Sequence, residues 1–136
     1  MKKIFTFLCF LPILFFSQNK YRLEVIIKGA KNNQGTVYVA VYTKENFLRK
    51  VFLGNKSPIK NNVAIVNFDN VIPSGEYAIA AFHDENNNNL LDFNFLQIPK
   101  EDYVFSNKAK STFFAPKFKD AKIKISNDTK IVLMLN

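Results

Sequence analysis

A chain of 136 residues with a formal net charge of +8 and a single cysteine can bury one core and is too short for two domains of ordinary size. Its 19 basic residues are dispersed, which argues against a nucleic-acid stripe and for a solvated basic surface. One cysteine rules out an internal disulfide framework and a thiolate metal cluster.

Residues 1–17 read as a secretory signal peptide. Lys2 and Lys3 precede an apolar run over 4–16, and Ser17 offers a small residue before Gln18. The run falls short of the ~20 residues of a spanning helix, and Pro12 interrupts it. Cleavage is therefore expected over a retained anchor, leaving no membrane span. Cys9 has Phe7 and Leu8 before it and more apolar residues after it, unlike a lipidated cysteine. The domain expected is 18–136, cysteine-free, monomeric, and periplasmic or secreted. Without Lys2 and Lys3 the 19 basic residues become 17 against 11 acidic ones, a net of +6.

Residues 21–28 alternate, with Tyr21, Leu23, Val25 and Ile27 opposite Arg22, Glu24 and Lys28, the period of a half-buried strand. A polar turn over 29–35 leads to a second strand, 36–43, apolar on both faces. Proximity predicts that the two form a hairpin. Residues 44–50 are too short for an independent helix and are expected as one turn over a sheet end. Residues 51–59, broken by Gly54 and Pro58, stay unassigned. A strand is predicted over 62–68, then a turn over 71–77 in which Pro73 sets φ and Gly75 is available for a left-handed φ. The strand over 77–83 carries Ala78, Ala80 and Ala81, small residues that suit a central position.

Segment 93–117 has no period. Phe93, Phe95, Tyr103, Phe105, Phe113 and Phe114 are scattered along it, as in a long loop pinned to a sandwich by aromatics. Strands over 121–125 and 130–135 close the chain, their lysines suited to protected edges. The fold class expected is all-β, a single Greek-key β-sandwich of about seven strands with a long irregular aromatic loop.

The chemistry concentrates in 84–92. Asp84, Asn86, Asn88 and Asp92 stand at positions 1, 3, 5 and 9 of an EF-hand-type loop, with the Leu90 carbonyl at position 7. Position 6, usually glycine, is Asn89, the best non-glycine residue for left-handed backbone. Position 12 is Phe95, which cannot ligate, so a remote carboxylate, Glu101 or Asp102, would have to complete the shell. Glu85 and Asn87 are expected to point away. The metal expected is Ca²⁺, bound weakly, on the order of 10⁻⁴–10⁻³ M, because the set holds few charges. Zn²⁺ is disfavoured, since His83 is the one histidine. A hydrophilic, asparagine-rich turn that binds nothing is the alternative.

No catalytic constellation emerges. His83 and Asp84 are strand neighbours that point to opposite faces. Glu101 and Asp102 are adjacent, unlike a glycosidase pair.

The stretch from Gly75 through His83-Asp84-Glu85-Asn86, then Leu91-Asp92, Asn94-Phe95-Leu96, Ile98-Pro99-Lys100-Glu101, Tyr103 and Phe105-Ser106-Asn107 together resemble the secreted bacterial family called domain of unknown function 2141. Phe118-Lys119-Asp120-Ala121 resembles its next block. The resemblance covers essentially residues 18–136 and implies no assigned activity. It retains Asp84, Asn86, Asn88 and Asp92 as ligands, with Glu101 closing. The family usually has glycine where this chain has Asn89, Gln97, Asp102 and Val104. The Pro73-Ser74-Gly75-Glu76-Tyr77 turn also resembles that of prealbumin-like sandwiches, which implies a seven-stranded Greek key.

The function expected is a non-enzymatic accessory of the cell envelope, bound to a protein or glycan, with a structural Ca²⁺ loop. The alternative is a glycan- or small-ligand-binding module using the 93–117 aromatic loop.

Overall fold

A computed structural model describes residues 19–110 and 114–135. The expected signal segment 1–17 and Phe113 lie outside the described residues. The strands are β1 (Lys20–Lys28), β2 (Thr36–Tyr42), β3 (Leu53–Pro58), β4 (Val63–Pro73), β5 (Gly75–Asp84), β6 (Tyr103–Phe105), β7 (Lys122–Ile125) and β8 (Thr129–Met134), with one helical turn, α1 (Phe118–Ala121), before β7. They form an all-β sandwich. One sheet has the order β4-β1-β8, and the other has β3-β2-β5-β6, with β7 also on β5. β1 is antiparallel to β4 and parallel to β8. Successive halves of β5 pair with β7 and then β6.

The expected β1–β2 hairpin does not form. β1 and β2 lie in different sheets, and their apolar stripes (Leu23, Val25, Ile27 and Val37, Val39, Val41) are fully buried, so they meet across the core instead of lying side by side. The pattern that marks each strand as half-buried is satisfied equally by either arrangement, and sheet-on-sheet packing wins here. Gly29 (φ 82) and Gly35 (φ 69) turn the chain between the sheets.

Three further expectations change. The unassigned 51–59 region contains β3, an edge strand. β4 runs on to Pro73, so the turn contracts to Ser74, where the chain changes sheets. Gly75 does not take a left-handed φ. A Cβ there would lie 3.2 Å from the Tyr77 ring, and the Tyr77 hydroxyl donates to the Pro73 carbonyl at 3.0 Å. Glycine at 75 makes room for the ring that ties the corner.

The core joins both sheets through Leu23, Val25, Val39, Val66, Ile79 and Ile125. A smaller cluster lies elsewhere: Ala78, Phe105 and Ala121, packed by Phe47 and Phe118. Phe47 comes from 44–50, which forms the single turn expected, with Arg49 and Lys50 amides donating to the Asn46 carbonyl. Buried Ser106 accepts from the Ile79 amide at 2.9 Å and donates to the Ala121 carbonyl, which locks the chain after β6 onto β5. Phe105 is therefore a pin, as the aromatic pattern suggests.

Candidate metal loop

β5 ends by delivering Asp84, wholly buried, into a run of Asx turns. Its carboxylate accepts the Asn88 amide at 3.1 Å and the Asn89 amide at 2.8 Å. Asn86 Oδ1 accepts the Asn88 amide at 3.0 Å, and Asn88 Oδ1 accepts the Leu90 amide at 2.8 Å. Each short polar side chain caps the backbone two to five residues ahead, the local chemistry asparagine and aspartate favour.

The four asparagines divide into two kinds. Asn87 (φ 58) and Asn89 (φ 64) take left-handed backbone, and their side-chain oxygens accept from Thr36 Oγ1 at 3.4 Å and Lys56 Nζ at 2.9 Å. Asn86 and Asn88 turn inward, and their Nδ2 groups donate to the two oxygens of Asp92 at 2.7 and 3.0 Å. Glu85 points away, its carboxylate accepting from Asn32 Nδ2 at 3.3 Å.

Glu101, nearly buried, spans the base of the loop. It accepts the Glu85 amide at 3.1 Å on one oxygen and the Asp92 amide at 3.2 Å on the other. Asp102 faces elsewhere and meets Lys31 Nζ at 2.7 Å. That bond, and the charge behind it, raises the Lys31 pKa. The Leu90 side chain is exposed. The structure thus brings Asp84, Asn86, Asn88, Asp92 and Glu101 to one loop and leaves Asp102 outside it. Among the described residues no three His, Cys, Asp or Glu side chains gather closely enough to hold a metal ion. The loop's donors are a mixture of carboxylates and amides, the donor set of a hard cation, and each amide oxygen keeps a second lone pair beyond its backbone bond.

His83 is wholly buried beneath this loop. Nε2 donates to the Gln34 carbonyl at 2.7 Å, which places the proton there. Nδ1 lies 4.0 Å from Glu85 Oε1 and has no hydrogen-bond partner among the described residues. Gly35 passes so close that a Cβ would sit 2.0 Å from the Asp84 carbonyl oxygen. Asn32, Thr36 and Lys56, which brace the loop from outside it, and Gly35 escape sequence reasoning because their contacts are long-range.

Beyond Asp92 the chain makes a second Asx-built excursion. The Asp92 carbonyl accepts the Lys100 amide at 2.8 Å. Asn94 Oδ1 accepts the Leu96 and Ile98 amides at 2.9 and 3.0 Å, and Gln97 sits at φ 60. Phe95 is 91% exposed, with Phe93, Leu96 and Ile98 also exposed.

Over residues 25–132 the chain matches the family described as Uncharacterized protein conserved in bacteria (DUF2141). It belongs to that family. No curated protein and no solved structure matches it. Two of the four positions where a DUF2141 chain usually has glycine, Asn89 and Gln97, do take left-handed backbone here, so larger residues bear a conformation that glycine would adopt freely. Among the described residues six of nine non-glycine positions with positive φ are asparagine (Asn61, Asn62, Asn70, Asn87, Asn89 and Asn107). The asparagine runs of this DUF2141 protein therefore serve the backbone first, and only Asn86 and Asn88 of the loop direct their amides inward at Asp92.

Proposed function

We propose that this protein is an exported, non-enzymatic accessory of the cell envelope whose 84–92 loop binds Ca²⁺ weakly and so fixes the apolar 92–100 tip for contact with an envelope protein or glycan. The observation that carries this reading is the double role of Asp92. Its carboxylate accepts the inward amide groups of Asn86 and Asn88, whose rotation would turn their oxygens towards a cation, while its carbonyl holds the Lys100 amide at the base of the tip. Ordering the loop orders the tip. Ca²⁺ would take Asp84, Asn86 and Asn88 oxygens, the Leu90 carbonyl and Asp92, with Glu101 as the nearest further carboxylate. No helix among the described residues is long and apolar enough to cross a membrane. The basic run-in at Lys2 and Lys3 supports export.

Calorimetric titration with Ca²⁺ is expected to give a Kd on the order of 10⁻⁴–10⁻³ M. Ca²⁺ at 100 times its Kd should stabilise the fold by about 2.7 kcal/mol, reversed by chelator. Asp84→Ala should abolish that response. An unchanged metal response in Asp84→Ala protein would overturn the site. A second reading, a small-ligand module that uses segment 93–117, is favoured by Tyr103, which is 41% exposed at the mouth of a groove.

A further inference from the structure

The two margins of the sandwich differ. At one, Asn55 Nδ2 of β3 donates to the Asn67 carbonyl of β4 at 2.9 Å, and the sheets are stitched together. At the other, the edges of β6 and β8 stand apart and leave an open groove of about 600 Å³, within the size range of small-molecule sites. Tyr103 and Phe105 form one wall, Val132 and Met134 the other, and Ala109 and Phe114 also line it. Lys108 and Lys110 are its only charged side chains, and neither has a carboxylate within ion-pair distance among the described residues.

Lys108 takes a left-handed φ of 53, directly after Asn107 at φ 56. A lysine gains nothing from that conformation, which disfavours any residue with a Cβ. It is held in place by Asn107 Nδ2, which donates to the Lys122 carbonyl at 2.6 Å. Held strain of this kind points to a use for the side chain it displays.

We propose that the groove binds a single long-chain carboxylate, its hydrocarbon between the β6 and β8 walls and its anionic head at Lys108 and Lys110. This rests on the small-ligand reading and gives it a ligand class. A neutral sugar would leave the positive charge of Lys108 and Lys110 unanswered, and the apolar side chains of Phe105, Val132 and Met134 offer its hydroxyls no partner. A hydrocarbon chain asks for apolar contact alone, and the two lysines match one negative charge at its end.

The test is calorimetric titration of the purified protein with saturated carboxylates of eight to fourteen carbons, below their micelle concentrations, beside the matching alcohols. Affinity should rise about fourfold per added methylene until the groove is full, and carboxylates should bind at least tenfold tighter than alcohols. Lys108→Gln with Lys110→Gln should erase the preference for carboxylate and keep the dependence on chain length. Ala109→Trp, which fills the groove, and Met134→Glu, which sets a negative charge on its exposed wall, should each reduce carboxylate binding at least tenfold while the Ca²⁺ titration stays as in the parent. Affinity independent of chain length, equal binding of alcohols, or binding unchanged in both Ala109→Trp and Met134→Glu overturns the proposal. Heat from oligosaccharides with the carboxylates silent overturns the ligand class and leaves the small-ligand reading standing. Silence from both sinks the two together.

Discussion

The 84–92 loop and the groove between β6 and β8 are built on opposite principles. In the loop nearly every side chain from Asp84 to Asp92 spends its polar atoms on nearby backbone or on a neighbouring side chain, and three braces (Asn32, Thr36 and Lys56) come from outside it. The groove is lined mostly by apolar side chains and has two exposed lysines with no acidic partner among the described residues. The loop is made by residues close in sequence. The groove exists only because residues 103–110 and Phe114 meet residues 132–134 at the margin between the edges of β6 and β8. A polar site can be written locally, because asparagine and aspartate fold their own backbone. An apolar site needs the whole topology.

That contrast can be broken in stages. Gly35→Ala should be the most damaging change, because the added Cβ meets the Asp84 carbonyl at 2.0 Å and the residue must keep φ 69. A loss of about 3 kcal/mol or more in denaturant unfolding is expected, with the groove unaltered in protein that remains folded. Asp84→Ala leaves the Asn89 amide without its acceptor and the Asn88 amide with Asn86 alone and should cost about 2 kcal/mol. If carboxylate binding also fell in that variant, the two regions would be coupled and the comparison would fail. Asn89→Gly should sharpen it: the left-handed φ of 64 suits glycine, and a gain of about 0.5 kcal/mol is expected with Ca²⁺ affinity kept.

The smallest effect is an acid one on the groove side. Hydrogen bonding to Lys130 of β8 lowers the Glu24 pKa. A carboxylate whose pKa is lower folded than unfolded stabilises the fold above the unfolded value and loses that contribution as pH falls through the folded one. The loss should therefore appear only below the ordinary glutamate value of about 4.3. Glu24→Gln should remove that part of the acid sensitivity of the melting temperature, and by little, since the pair is exposed.

Much of the fold was legible because alternation is local. Leu23, Val25 and Ile27, or Ile123 and Ile125, declare a strand whatever it pairs with. What alternation cannot state is the partner, and hence the expected β1–β2 hairpin gives way to pairing of β1 with β4 and β8. β6 was hidden because three residues, Tyr103–Phe105, are too few for a period, and they form a strand by pairing with Ala80–Phe82. The inward Asp84, Asn86, Asn88 and Asp92 were legible from spacing. The staple role of Glu101 was not, since it depends on two amides seven residues apart. Gln97 was marked by the family's usual glycine, and the tip it helps to form was not foreseen.

The parallel union of β1 with β8 bears on how the chain comes to be folded. The first strand waits for the last: Leu23–Lys28 has no β8 partner until Thr129–Met134 has arrived. Contacts that span almost the whole sequence make folding slow and concerted. The three-stranded sheet therefore has an open margin at β1 until Thr129–Met134 docks, and the domain closes there last.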